Sequence, residues 1–367
     1  MQLNASAKFE VEEQGPHLWS HAASTALKLS IFFGLVVRSM GVIYGDIGTS
    51  PLYVMTTMFP SRPADVDDYI AGCSLVIWSI LLLVLVKYVS CILFIDNHGE
   101  GGVFALGALL MSSRSSIENK WAQSAIRIAM IVATALLLAD GAFTPAISIS
   151  SAVSGIAVYE KSLSLYVIPI SVVLLVVLFA IQRFGTAKVG VAFGPVLLVW
   201  FACLFAGGVY RLTEQPRAFE AFNPWLGIKF LFRDNVVVSN VSVTDPVSGN
   251  VTFSTTTETS SNFGILGAVF LAVTGLEALY ADLGHFSAWP IRVGFATITL
   301  PALLFQYLGQ TAFLLNNPSQ SANVFYLSFP PWALWPMIVL ATLATIIASQ
   351  GMPFCQHELG VPFHFRC

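Results

Sequence analysis

Gly41-Val42-Ile43-Tyr44-Gly45-Asp46-Ile47-Gly48-Thr49-Ser50-Pro51-Leu52-Tyr53 sits inside an apolar run at about residues 30–59. The run is long enough to cross a bilayer as a helix. Yet Gly45, Gly48, Pro51 and Asp46 fall near its middle. In a helix interior each Gly costs about 1 kcal/mol and the Pro about 3 kcal/mol. An ionised Asp at the bilayer centre adds about 2.5–3.5 kcal/mol on insertion scales. Such a segment is tolerated where the helix unwinds around a cavity. The freed carbonyls and the Asp46 carboxylate are then expected to form an oxygen-rich cation site; a kinked packing helix is the alternative.

Seven further apolar segments extend outward from this stretch, at about 71–95, 125–157, 162–182, 188–210, 263–282, 291–315 and 330–350. With 56% hydrophobic and only 10% charged residues, the chain cannot cover a water-facing surface. The segments are read as spans 1 to 8 of an all-α polytopic membrane protein. A net charge of −3 gives no footprint for nucleic acid. The five cysteines show no metal-ligand spacing and read as small apolar residues. No nucleophile–base or metal constellation points to an enzyme, and no cofactor is implied. No cleavable signal peptide is evident, so span 1 itself is expected to direct insertion.

Short-loop charges set the orientation. With the N-terminus inside, the cytoplasmic loops hold Arg114, Lys120, Arg183, Lys188 and Arg292, and the outer loops hold only Arg62 and Lys161. The long loop 211–262 places Arg211, Arg217, Lys229 and Arg233 outside, where length weakens the rule. Its second half carries the sequons at Asn240 and Asn250, expected glycosylation sites on the outer side. The expected organisation is a cytoplasmic tail at 1–28, a transmembrane transporter domain at 29–350 and a divergent tail at 351–367.

Two more spans carry buried acids. In span 3, Asp140, Thr144 and Ser148 are spaced i, i+4, i+8 and share one helix face, an interior polar stripe. The two hydroxyls could instead bond back to their own helix. In span 6, Thr274 and Glu277 are three apart around Gly275 and also share a face; Asp282 lies near its inner end. Spans 1 and 6 are both Gly-interrupted and acid-bearing and lie five spans apart, the pattern of a five-plus-five inverted repeat with a midplane site. Arg38 either snorkels to the interface or pairs with an acid. Gly99-Glu100-Gly101-Gly102 lacks the Gly-Lys-Ser/Thr of a phosphate loop and reads as a tight turn.

Gly45-Asp46-Ile47-Gly48-Thr49-Ser50-Pro51-Leu52-Tyr53 resembles the signature of the KUP/HAK/KT potassium transporters. The resemblance continues through Gly99-Glu100-Gly101-Gly102, Asp140-Gly141 with Thr144-Pro145-Ala146-Ile147-Ser148, Arg183-Phe184-Gly185-Thr186 and Asn223-Pro224. It ends with Glu277-Ala278, Ala281-Asp282-Leu283-Gly284-His285-Phe286 and Trp335-Pro336 to Gln350. It implies a LeuT-like (APC superfamily) inverted-repeat fold and potassium uptake, generally coupled to protons, at the plasma membrane. Its cation-site positions fall on Asp46, Tyr53, Asp140, Thr144, Ser148, Thr274 and Glu277. Against the family pattern, Ala139 and Leu276 replace a usual Gly and Thr, and the 234–262 loop looks long, suggesting a eukaryotic, perhaps fungal, source. After Gln350 the match stops, as a truncation after about eight helices would produce.

The expected function is therefore K+/H+ symport, with potassium, a proton and the bilayer as partners and a homo-oligomer left open. Asp46 and Glu277 are the proton-coupling candidates. Two rivals stand beside this: an inactive fragment or assembly-dependent subunit, and an amino acid transporter of the same fold, against which Asp46 argues because it would repel a carboxylate.

Overall fold

A computed structural model describes residues 25–63, 65–97, 100–111, 119–182, 190–244, 251–281 and 283–358. Asn250, Asp282 and most of the Arg183–Gly190 motif lie outside the described residues, as do the N-terminal 24 residues and 359–367. Among the described residues, six helices are long and apolar enough to cross a membrane, and one bent pair makes a seventh. The chain is a helical multi-pass membrane protein.

The bent pair is span 1. Its helix Thr25–Ile43 stops at Tyr44 and resumes as Gly45–Thr49, a 3-10 turn at Ser50–Leu52 and a last turn at Val54–Met58. The halves around the stop meet at 68°. Asp46 and the helix breakers thus produce the interruption that their cost required. Span 6, expected at 263–282 with a Gly interruption, is broken as well. It divides into Ile265–Leu271, Leu276–Ala281 and Leu283–Phe286, with a turn through Ala272–Gly275. The other spans are continuous: Asp68–Phe94, Lys120–Tyr159, Lys161–Ala180, Phe193–Glu214, Ala288–Asn316 and Pro331–Gln350. The last of these helices runs on past Gln350 to Glu358.

Packing follows from which faces are apolar. Span 1 lies against spans 5 and 8, span 5 against span 7, and span 3 against span 8. The fully buried Trp200, Tyr44, Tyr307 and Phe295 fill the centre. Spans 3 and 4 instead present Ile128, Ile131, Leu136, Ile168, Val173 and Val176 outward as an apolar face. Arg38 is exposed at the edge of span 1. Cys73 is buried as a small apolar residue.

The segment between spans 5 and 6, expected as an irregular loop, is ordered in its first half and paired in its second. Asn223 caps the helix Pro224–Leu231: its side chain accepts from the Trp225 amide at 3.1 Å, with Pro224 at the first helical position. Strands β1 (Asp234–Thr244) and β2 (Val251–Ser261) then form an antiparallel hairpin, with Asp234 opposite Ser261 and Thr244 opposite Val251. The Val- and Thr-rich composition favours strand over helix here, so the all-α expectation holds for the membrane part and not for this loop. Two arginines tie the segment to the start of span 2. Arg217 meets Asp67 at 2.8 Å, and Arg233 bonds Asp68. The Asp67 carboxylate beside Arg217 holds that guanidinium's pKa further up.

Candidate cation site

Helix termini inside a membrane leave backbone groups without partners, and each must find one. The break in span 1 resolves this largely within the protein. The Gly48 carbonyl accepts from the Trp200 indole at 2.9 Å, and the Pro51 carbonyl accepts from the Gln310 amide at 2.8 Å. The Asp46 carbonyl accepts from Thr49 at 3.0 Å and Ser50 at 3.4 Å. Tyr44 donates across to the Ile291 carbonyl of span 7. The freed carbonyls expected to hold a cation are therefore already engaged by side chains of spans 1, 5 and 7.

What stays unengaged is the carboxylate. Asp46 is 5% exposed, and neither of its side-chain oxygens has a hydrogen-bond partner among the described residues. The side chain lies against the turn that breaks span 6. A Cβ on Gly275 would come within 2.7 Å of Asp46 Oδ2, and Gly275 has φ +80°, a conformation open to glycine. Gly275 thus lets the two interrupted spans meet at the acid. Gly45 also allows a close approach: a Cβ there would sit 2.7 Å from the Ala348 Cα of span 8.

Hydroxyls gather beside this carboxylate. The Tyr53 hydroxyl is 3.4 Å from that of Ser50 and faces those of Thr274 and Ser148. Ser148 Oγ is buried with no partner among the described residues, while Thr274 donates to the Leu271 carbonyl at 3.1 Å. Asp140 is near enough for the two acids to repel. It does not stand bare, because it accepts from Thr144 at 2.8 Å. The face predicted for span 3 is present, with its upper end at Tyr53 and its lower acid capped by its own helix.

Six of the seven expected positions thus form one neighbourhood: Asp46, Tyr53, Ser148 and Thr274 at its centre, Asp140 and Thr144 at its edge. Glu277 is placed elsewhere. Its Oε1 accepts from the Val103 amide at 2.7 Å, at the N-terminus of the helix Gly102–Met111. It follows the span 6 break by two residues, on the first turn of the next helix, and turns toward the Gly101-Gly102 segment. Next to it, Tyr280 donates to the Ile95 carbonyl at 2.8 Å.

Trp200 and Gln310 were missed by the sequence reading. For Gln310 a signal existed: Gln306 and Gln310 are spaced i, i+4 inside an otherwise apolar span. Trp200 gave none, because an indole in a membrane helix usually reads as packing.

A bare buried carboxylate ringed by hydroxyl oxygens is costly alone and suits a monovalent cation or a proton. Comparison with known proteins points the same way. The family model described as the K+ potassium transporter integral membrane domain matches residues 33–359, past Gln350, where the resemblance was expected to end. A probable potassium transport system protein Kup 1 of Geobacter sulfurreducens is 43% identical over 322 residues, 87% of this chain and 47% of the relative. The Kup protein of Xanthomonas axonopodis pv. citri is 42% identical over 339 residues, 92% and 49% of the two chains. That of Chlorobaculum tepidum is 42% identical over 320 residues, 86% and 48%. The chain spans about half the length of the curated relatives it matches.

Proposed function

Because the chain belongs to the potassium transporter family whose integral membrane domain matches residues 33–359, we propose that it carries potassium across the plasma membrane. The observation that supports this most is the Asp46 carboxylate, buried between two interrupted spans and without a partner among the described residues. Potassium is held there by Asp46, with the oxygens of Tyr53, Ser148 and Thr274 replacing part of its water. Asp140 and Thr144 flank the path. Neutral hydroxyls with a single carboxylate favour a monovalent ion, because a divalent one would keep excess charge in a low-dielectric site.

The breaks in spans 1 and 6 support a LeuT-like inverted-repeat arrangement with its site where the halves meet. The N-terminus is cytoplasmic, and Asn240 and Asn250 lie on the outer side. Transport is coupled to protons. Since Asp46 serves the cation, Glu277 carries the proton: a protonated carboxyl accepts more weakly from the Val103 amide, so proton binding loosens the Gly102–Met111 helix from span 6. Membership in a transporter family also sets aside an enzymatic role.

Expression in a host lacking its own potassium uptake tests this reading. Growth at micromolar potassium, unaffected by excess amino acids, is the expected result. Uptake inhibited by an amino acid, with no potassium-dependent growth, overturns it.

A further inference from the structure

Span 3 carries its polar stripe beyond the carboxylate site. Ser151 and Ser154 follow Ser148 at i+3 steps, about 4.5 Å and about 9 Å further along the helix at its rise per residue. They line a cavity of about 150 Å³ together with Tyr53, Thr56 and Asn323. By the orientation proposed above, this cavity opens toward the outer side, and Tyr53 belongs both to its wall and to the group around Asp46.

The hydrogens on these hydroxyls decide what the cavity can hold. Thr56 donates to the Ser321 carbonyl at 3.2 Å. Ser154 donates to the Ser151 carbonyl at 2.7 Å. Each hydroxyl has one hydrogen, and those of Thr56 and Ser154 are spent on backbone carbonyls. Their lone pairs remain for the cavity, where they can serve a cation. Asn323 adds an amide oxygen. No lining residue is charged. The volume fits a cation with several waters, at about 30 Å³ for each water.

The geometry points to a second cation site: an outer staging site for a partly hydrated monovalent cation, built from Thr56, Ser151, Ser154 and Asn323 and separated from Asp46 by Tyr53. It rests on the reading of the chain as a potassium transporter. Neutral oxygens hold the ion more weakly than a carboxylate does, so it enters readily and leaves readily, as serial ion sites require. The ion trades part of its hydration shell there before passing Tyr53.

Equilibrium binding of radioactive rubidium to the protein in lipid nanodiscs tests it. The wild type is expected to show two classes of site, a tight and a weak one. Thr56→Val combined with Ser154→Ala is expected to remove the weak class and keep the tight one, whereas Asp46→Asn removes the tight class and keeps the weak one. Thr56→Ser, which restores the hydroxyl, is expected to retain both, which separates lost oxygen from lost folding. A weak class unchanged in the double variant overturns the staging site and leaves the transporter reading standing. One class of site in the wild type, lost in Asp46→Asn, does the same. No rubidium binding to any form overturns both.

Discussion

Asp46→Asn is the perturbation that separates a cation ligand from a structural acid. The side chain is 5% exposed, and both its oxygens lack partners among the described residues. A monovalent ion about 4 Å from such a carboxylate gains about 4 kcal/mol at an effective dielectric constant of about 20. That corresponds to about 1000-fold in affinity. The amide keeps the shape and one acceptor oxygen but loses the charge, so potassium binding is expected to weaken by about 100- to 1000-fold. Stability should move the other way. Without potassium, the variant no longer buries an unpaired charge, and it should melt higher than the wild type under the same conditions. Added potassium at about 100 times its dissociation constant should stabilise the wild type by about 2.7 kcal/mol and the variant scarcely at all. Thermal unfolding in nanodiscs, in potassium and in a large organic cation at equal ionic strength, reads both effects. A variant that melts lower than the wild type without potassium, and keeps the potassium-dependent rise, would refute the reasoning.

Other substitutions test separate contacts. Gly275→Val places a β-branched side chain at φ +80° against Asp46 Oδ2, at a backbone cost of about 1–3 kcal/mol, and uptake should fall at least about tenfold at matched expression. Glu277→Ala removes the acceptor for the Val103 amide. Hydrogen exchange of the Gly102–Met111 amides should then rise by about fivefold to thirtyfold, the equivalent of about 1–2 kcal/mol, while Glu277→Gln, a neutral acceptor like the protonated acid, should give a smaller rise. In uptake assays the same Gln variant should lose the dependence of potassium transport on external pH. Arg233→Ala leaves Asp68, whose side chain is 4% exposed, without that guanidinium; allowing for the exposure of Arg233 it should cost about 1–2 kcal/mol by chemical denaturation. Arg217→Ala, between two half-exposed groups, should cost less than about 0.5 kcal/mol.

Span 1 shows how much of the fold was legible in sequence. Gly45, Asp46, Gly48 and Pro51 are local signals with a local cost, and the break falls at Tyr44, beside them. The stripe Asp140, Thr144 and Ser148 was equally legible, because helical periodicity fixes a face without tertiary knowledge. Partner choice was not. Trp200 and Gln310 reach the freed carbonyls from helices distant in sequence, and nothing in span 1 names the donors that will satisfy it. The placement of Glu277 also depended on tertiary structure. Its spacing from Thr274 assumed a continuous helix, but the turn through Ala272–Gly275 resets the rotation and sends its carboxylate to Val103. The hairpin at 234–261 was hidden because Ser and Thr composition reads as loop until two segments pair in register.

The central claim is that Asp46 holds the transported ion, and the position of a heavy potassium surrogate tests it most directly. Thallous ion has nearly the radius of potassium and scatters strongly, so a structure of the protein in nanodiscs with thallium in place of potassium locates it. Density is expected in direct contact with the Asp46 carboxylate, flanked by the Tyr53 and Ser148 oxygens. Thallium bound at Glu277 beside Val103, with Asp46 untouched, would contradict it.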